Sequence, residues 1–387
     1  MPGSMRIVHV GVASDVPVLH RFGGAVQRRI RELAKVQARR GHRVVVYSFG
    51  AAGGVEEQDG VEFRTVRCLT PHPLRQVEFQ LRAIGDLRRR GEPVDVLHSH
   101  GQPEAGVLGR GLGARVLLSY DNFSFRGGRH GPLGRLYRSA LERFDLLLPC
   151  SEYCRDASSA HWGLDPSRLH VLHNGVDLDQ FRPDPDGAER ERRALGLSGP
   201  TVLYVGRVCE QKGTSLLLDA WARRAGRSDA KLVVAGPVER FGTVDDGTWT
   251  RRIEAVGGVY LGAVEEARLS GLYSMADLFV MPTIELEMFG MAAVEAQACG
   301  TSVLASDHGG LRETVPDAVG GRFRNGDAAD LAARLDALLA DEDGRQERSA
   351  AARRNAARFS WDTVCERLQL LVDDASSCYG RRRGARR

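Results

Sequence analysis

Lysine is nearly absent from this chain. Only Lys35, Lys212 and Lys231 occur among 54 lysine and arginine residues, so almost every positive charge is an arginine. A GC-rich coding bias accounts for the imbalance, yet it singles out any lysine that falls within a motif. An apolar run near the length of about 18 residues that spans a membrane is also missing, as is a basic-apolar-cleavable leader. The protein is therefore expected to be neither secreted nor membrane-spanning, and a cytoplasmic location is expected. No G-x-G-x-x-G follows the first strand of either half, which counts against a dinucleotide dehydrogenase, and no G-x-x-x-x-G-K-S/T occurs, which counts against a P-loop nucleotidase. The seven cysteines (Cys68, Cys150, Cys154, Cys209, Cys299, Cys365 and Cys378) are scattered and form no C-x-x-C or zinc-like quartet. They read as reduced, small hydrophobic residues.

The length of 387 residues suggests two domains, and 42% hydrophobic content is ample for two cores. Formal net charge is +4, but the terminal RRRGARR over 381–387 carries five arginines and leaves the rest close to neutral. No general polyanion-binding surface is expected. Nucleic acid is therefore not an expected partner, and contact with a membrane is at most peripheral. The basic tail over 380–387 reads as a disordered, solvated end.

Residues 6–11, RIVHVG, read as a strand, followed by a loop reaching Phe22-Gly23-Gly24. A helix with apolar Val26, Ile30, Leu33 and Ala34 comes next, and then strand HRVVVYSF. That order is a parallel βαβ unit with a right-handed crossover. VDVLHSH, ARVLLSY and DLLLPCS continue as buried strands, and RLHVLHNGVD closes this half. The polar, proline-bearing stretch over 179–199 reads as a linker. The second half restarts the pattern with strand TVLYVGR, loop VCEQKG, helix TSLLLDAWARRA and strand AKLVVAG, with further strands in GGVYLG, DLFVMP and TSVLAS. The expected fold class is α/β, with two doubly wound, Rossmann-like domains facing across a cleft. Their bounds are 5–178 and 200–358, followed by a helix over 359–379 with apolar Trp361, Val364, Leu368 and Leu371.

Residues 282–300, PTIELEMFGMAAVEAQACG, carry the most chemistry. Glu287 and Glu295 stand either side of Phe289-Gly290. LFVMP ahead is strand-like, and residues 291–298 have the small composition of a buried helix. Phe289-Gly290 then falls at a helix start, where backbone N–H groups attract anions. Glu287 sits just ahead, and Glu295 about two turns inside. Such a site suits a phosphorylated sugar donor, although a capped helix with an acid near its start explains the spacing taken alone. After strand TVLYVG, Arg207 and Lys212 place two cations at the carboxyl edge of a parallel sheet, where ligands of such folds bind. They suit a diphosphate, or else a solvated loop. Gly23 and Gly24 permit close backbone approach to phosphate or sugar, or simply make a loop-to-helix turn. His98 and His100 face one side of their strand, so one can meet ligand while the other packs; no third metal ligand is evident nearby. The Asp-x-Asp pairs Asp177/Asp179 and Asp184/Asp186 flank the linker and are not read as a metal site.

Taken jointly, these positions resemble the retaining GT-B glycosyltransferases of family 4, from Arg6 to about Leu371. The family pattern E-x-F-G-x4-E-A is met by Glu287, Phe289, Gly290, Glu295 and Ala296. The resemblance implies that Glu295 hydrogen-bonds the nucleotide ribose and that Glu287 with the Phe289, Gly290 and Met291 backbone contacts donor-sugar hydroxyls. It makes Arg207 and Lys212 the diphosphate-binding pair, Gly23-Gly24 the first-half phosphate loop, and His100 the strand-end histidine beside the sugar. Asn174-Gly175-Val176-Asp177 matches the usual NGVD, which places Asn174 among the substrate-binding residues. Backbone near Gly262 and Val264 is implied to read the base, and the final helix to return to the first domain. Two departures, PVERFG after LVVAG and Tyr120 where a histidine is frequent, bear on loop shape and acceptor choice. The function implied is sugar transfer, with a UDP-sugar as the expected donor, to an acceptor hydroxyl with retained configuration, needing neither cofactor nor essential metal. A nucleotide-sugar epimerase or phosphorylase on the same plan is the alternative enzyme, and a non-catalytic sugar- or nucleotide-binding protein the alternative without chemistry. First-half loops over 75–80 and 121–129 are expected to shape the acceptor pocket.

Overall fold

The structure is a computed structural model that describes residues 4–12, 25–50, 52–71, 74–121, 131–224, 229–238 and 247–384. Gly23 and Gly24 lie outside the described residues, as does nearly all of the loop over 121–129. The chain divides into two compact units: Met1–Gly175 with Trp361–Arg387, and Val176–Ser360.

The first unit is built on a seven-stranded sheet. Its strands are β1 (Arg6–Val10), β2 (Arg43–Phe49), β3 (Gly54–Gln58), β4 (Val61–Val66), β5 (Val96–His100), β6 (Arg115–Tyr120) and β7 (Leu146–Pro149), ordered β3-β4-β2-β1-β5-β6-β7. All neighbours are parallel except the β3/β4 edge hairpin. The runs IVHV, VLHSH and LLLP are buried throughout, as strands covered on both faces must be. β3 and β4 have no counterpart in the expected element list. Their signal is Asp59-Gly60, both at positive φ (53° and 73°), the two-residue hairpin turn that matches strand twist.

The second unit has a six-stranded, all-parallel sheet. It comprises β8 (Thr201–Val205), β9 (Lys231–Ala235), β10 (Val259–Tyr260), β11 (Leu278–Met281), β12 (Ser302–Ser306) and β13 (Arg322–Phe323), ordered β10-β9-β8-β11-β12-β13. Strand order reverses between β8 and β11, and between β1 and β5 in the first unit. At such points the outgoing connections part to opposite faces and leave a crevice at the carboxyl ends of the strands.

Three boundaries differ from expectation. The 179–199 stretch is no free linker: helix Pro185–Ala194 occupies it, with Asp184 Oδ1 accepting from Gly187 N–H at 2.9 Å and Pro185 in the first turn. Aspartate at the cap and proline just inside are start signals for a helix as much as for a turn. Glu191 fixes the helix to Glu266–Met275 through two hydrogen bonds from Arg268, at 3.0 and 2.7 Å. The final helix runs Trp361–Gly384, through much of the expected disordered tail; residues 385–387 lie outside the described residues. Its Trp361, Val364, Cys365, Leu368, Leu371 and Val372 share a core with Ile7, Leu33, Val96, Leu117 and Leu148, so the helix belongs to the first unit. The 75–80 segment is no loop either, but the beginning of helix Leu74–Arg90. Among the described residues no helix is long and apolar enough to cross a membrane.

Candidate active site

In the second unit, the loops leaving β8 and β11 meet at the switch point. Gly213 has φ +74°, and a Cβ there would lie 1.8 Å from the carbonyl oxygen of Pro282, so only glycine fits. Backbone bonds extend the seam: Ile284 and Glu285 N–H groups donate to the Gln211 carbonyl at 3.3 and 3.4 Å. This stitching brings Lys212 to Glu287, with Nζ 2.6 Å from Oε2, both side chains largely but not wholly buried. Thr283 Oγ1 donates to the same carboxylate oxygen at 3.5 Å. Arg207 stands exposed on the same β8 loop, and its carbonyl accepts from the Tyr204 hydroxyl at 2.6 Å. Burial pushes that phenol above its ordinary range, so it remains a donor.

Beyond Glu287 the chain turns into helix Met291–Ala298. Gly290 is its N-cap, at φ +90° and without a side-chain cap, as a helix start that offers its amides outward requires. Phe289 is buried edge-on against Phe359, ring centroids 5.4 Å apart, and Thr314 Oγ1 donates to its carbonyl at 3.0 Å. Glu295 is the fifth helical residue, one turn inside rather than two. It is 4% exposed, and its Oε2 accepts from the Tyr273 hydroxyl at 2.9 Å. Sequence reasoning missed Tyr273, which sits mid-helix in an apolar context without a motif of its own.

The carboxyl ends of β8, β9 and β10 form a bare backbone edge. Gly236 N–H donates to the Gly262 carbonyl at 2.7 Å, and a Cβ on Gly236 would lie 1.9 Å from the Gly206 carbonyl oxygen. Gly262 and Val264 follow β10 on this edge, both half-buried.

The first unit's switch point is of another kind. His9 on β1 is the register partner of His98 on β5, and His100 follows on the same face. All three rings are fully buried, with ligand atoms within 4.8 Å of one another. A third imidazole is thus close to His98 and His100, contrary to expectation, because it comes from a strand some ninety residues earlier. Burial brings His9 down to about 4 and holds His98 and His100 well below the ordinary histidine value, aided by neighbouring imidazoles and Arg29. The rings are therefore neutral at physiological pH. His9 Nε2 meets Gln37 Oε1 at 2.7 Å, His9 Nδ1 meets His100 Nε2 at 3.0 Å, and His98 Nε2 meets Ser119 Oγ at 2.7 Å.

Asn174 is expected among the substrate-binding residues, but its side chain is committed inside the first unit. Its Oδ1 accepts from Arg29 Nε at 2.6 Å and from Arg29 Nη2, while its Nδ2 donates to Asp121 Oδ1 at 3.1 Å. Arg29, 2% exposed, also pairs with Asp121. A buried guanidinium needs such partners. The adjacent Gly175 is required by Trp361, whose ring a Cβ would meet at 2.3 Å. Asp177 Oδ1 accepts from the N–H groups of Asp179 and Gln180, and Asp184 caps its helix, so both acids serve turns.

Two parallel-sheet α/β units, with a last helix returning to the first, define the GT-B fold. Solved structures agree. A glycosyltransferase from Rickettsia africae aligns with TM-score 0.77 over 96% of this chain and 98% of its own, at 19% identity. The Anabaena protein HepE in complex with UDP aligns with TM-score 0.75 over 96% and 100%, at 20% identity. Residues 187–357 match the family model described as Glycosyl transferases group 1, and residues 22–180 match Glycosyltransferase Family 4, with only 181–186 between them. The chain belongs to this glycosyltransferase family. Among curated relatives, the D-inositol 3-phosphate glycosyltransferase of Geodermatophilus obscurus is 38% identical over 54% of this chain and 48% of its own length. The Mycobacterium tuberculosis protein of the same name is 35% identical over 58% and 47%. The chain thus spans about half the length of the curated relatives it matches.

Proposed function

We propose that the chain is a retaining hexosyltransferase that moves a sugar from a nucleoside diphosphate donor to an acceptor hydroxyl. The observation that carries this reading is the Lys212–Glu287 pair at 2.6 Å, held at the switch point of the second sheet by the Gly213–Pro282 contact. A cation fixed beside a carboxylate and next to a helix start is suited to a donor that is anionic at one end and polyhydroxylated at the other. In this reading Arg207 and Lys212 stabilise charge growing on the departing diphosphate. Glu287 and the backbone of Phe289, Gly290 and Met291 contact sugar hydroxyls. Glu295 holds the ribose, oriented by Tyr273, and the edge at Gly262 and Val264 reads the base. Gly23, Gly24 and His100 are the substrate contacts proposed for the first unit. Neither a resident cofactor nor a metal is required.

The reaction breaks the bond from C1 to the phosphate oxygen and forms one from C1 to the acceptor oxygen. The acceptor proton passes to the departing phosphate. Substitution on one face through an oxocarbenium-like state retains configuration without an enzyme nucleophile. Glu287 suits the role of contact better than that of nucleophile, because its Oε2 is already engaged by Lys212 and Thr283. UDP-sugars lead the donor candidates, since HepE was solved with UDP and with UDP-glucose. The names of the curated relatives put phosphorylated inositols first among acceptors.

The test is a panel of nucleoside diphosphate sugars screened against acceptors by mass spectrometry. The expected product is an acceptor heavier by one sugar residue, with an anomeric centre matching the donor's by NMR. Donor consumption that ignores the acceptor, or no transfer across the panel, refutes the reading.

A further inference from the structure

The three buried histidines are chemically unequal, and the difference follows from what their neighbours can donate. The Gln37 side-chain oxygen has no proton, so His9 Nε2, 2.7 Å away, must carry one. A neutral imidazole has a single N–H, which leaves His9 Nδ1 as a lone pair. That lone pair is 3.0 Å from His100 Nε2, which must in turn be the donor. His100 is then left with an unprotonated Nδ1, and this atom is buried with no hydrogen-bond partner among the described residues. His98 lacks such a constraint. Its Nε2 faces the Ser119 hydroxyl, which donates or accepts equally well.

We infer that His9 and Gln37 are positioning residues that lock His100 in its Nε2–H tautomer, so that Nδ1 presents a lone pair to a substrate hydroxyl at the carboxyl edge of the first sheet. The inference rests on the proposed role of His100 as a substrate contact and deepens it. A buried acceptor without a partner favours a ligand that brings an O–H, and rejects a carboxylate or phosphate oxygen at the same point. The lock also forbids His100 from serving as a proton donor at Nδ1. Two residues far from each other in sequence, neither touching the ligand, would thereby set which hydrogen-bonding sense the site reads.

Long-range proton–nitrogen NMR on nitrogen-15 histidine-labelled protein reads each tautomer directly. In the wild type, His9 and His100 are both expected protonated at Nε2. Gln37→Leu removes the acceptor and should give mixed tautomers at His100, with kcat falling about tenfold while donor KM changes little. Gln37→Glu keeps an acceptor oxygen and should restore the tautomer and most of the turnover. A wild-type His100 protonated at Nδ1 overturns the proposal without need of any variant, even should Gln37→Leu fail to fold. So does an unchanged His100 tautomer in folded Gln37→Leu. Metal-shifted imidazole nitrogens with one equivalent of bound metal by elemental analysis would also overturn it, making the cluster a metal centre instead. The predicted tautomers combined with failed sugar transfer would uphold the lock and refute the function it serves.

Discussion

The two units solve the same topological problem with opposite electrostatics. Each reverses strand order beside its first strand, between β1 and β5 in one and between β8 and β11 in the other. In the first unit the groups at that point are neutral, fully buried imidazoles bonded to each other and to Gln37 and Ser119. In the second they are an ion pair, Lys212 and Glu287, largely but not wholly buried, with Arg207 exposed beside it. A shared fold therefore fixes where ligands are met without fixing how. The first edge is tuned through proton placement, the second through net charge, and each should respond to a different perturbation.

The largest separation is expected from Arg29→Met. It strands Asp121 and Asn174 in the first unit, and removing one partner of a buried charged network costs about 3–5 kcal/mol. Urea unfolding should show that loss in the first unit alone; a change below about 1 kcal/mol would mean the network is dispensable. Lys212→Ala should act chiefly on activity, lowering turnover about 100- to 1000-fold, comparable to removing one preorganised charge-stabilising donor. Near-normal kcat would remove Lys212 from the donor site. The third contrast is acid sensitivity. His9 titrates near 4 when folded and near its ordinary 6.5 when unfolded, so between those values the unfolded chain binds a proton that the folded one refuses. Stability is complete above pH 6.5 and declines as pH falls towards 4, by up to about 1.4 kcal/mol per pH unit for each such histidine. Trp162 and Trp361 report on the first unit, Trp221 and Trp249 on the second. Parallel loss in both units over that range would erase the contrast.

Sequence reading captured what is local. Buried strands such as VLHSH and LLLP, the helix behind Gly290 and the pairing of motifs with strand ends all follow from short-range pattern. It missed what depends on partners distant along the chain. Arg29 and Asn174 are 145 residues apart, and His9 and His100 are 91. Neither spacing leaves a mark in either neighbourhood: Arg29 reads as one more arginine on an amphipathic helix, and His9 as a polar lapse in a strand. The Asp184-Pro185 start was legible in principle but is shared by turns and helices, and proline weighted the reading towards a linker.

The discontinuity of the first unit has a consequence for synthesis. Residues 176–360 form the second unit as one uninterrupted segment, whereas the first unit's core awaits Trp361, Val364, Leu368 and Leu371 from near the chain's end. On the ribosome, the unit that starts second is thus able to finish first, and the one that starts first waits with an uncovered apolar face. A nascent chain stalled once residue 360 has cleared the exit tunnel should resist brief proteolysis in the later unit and be cut in the earlier one.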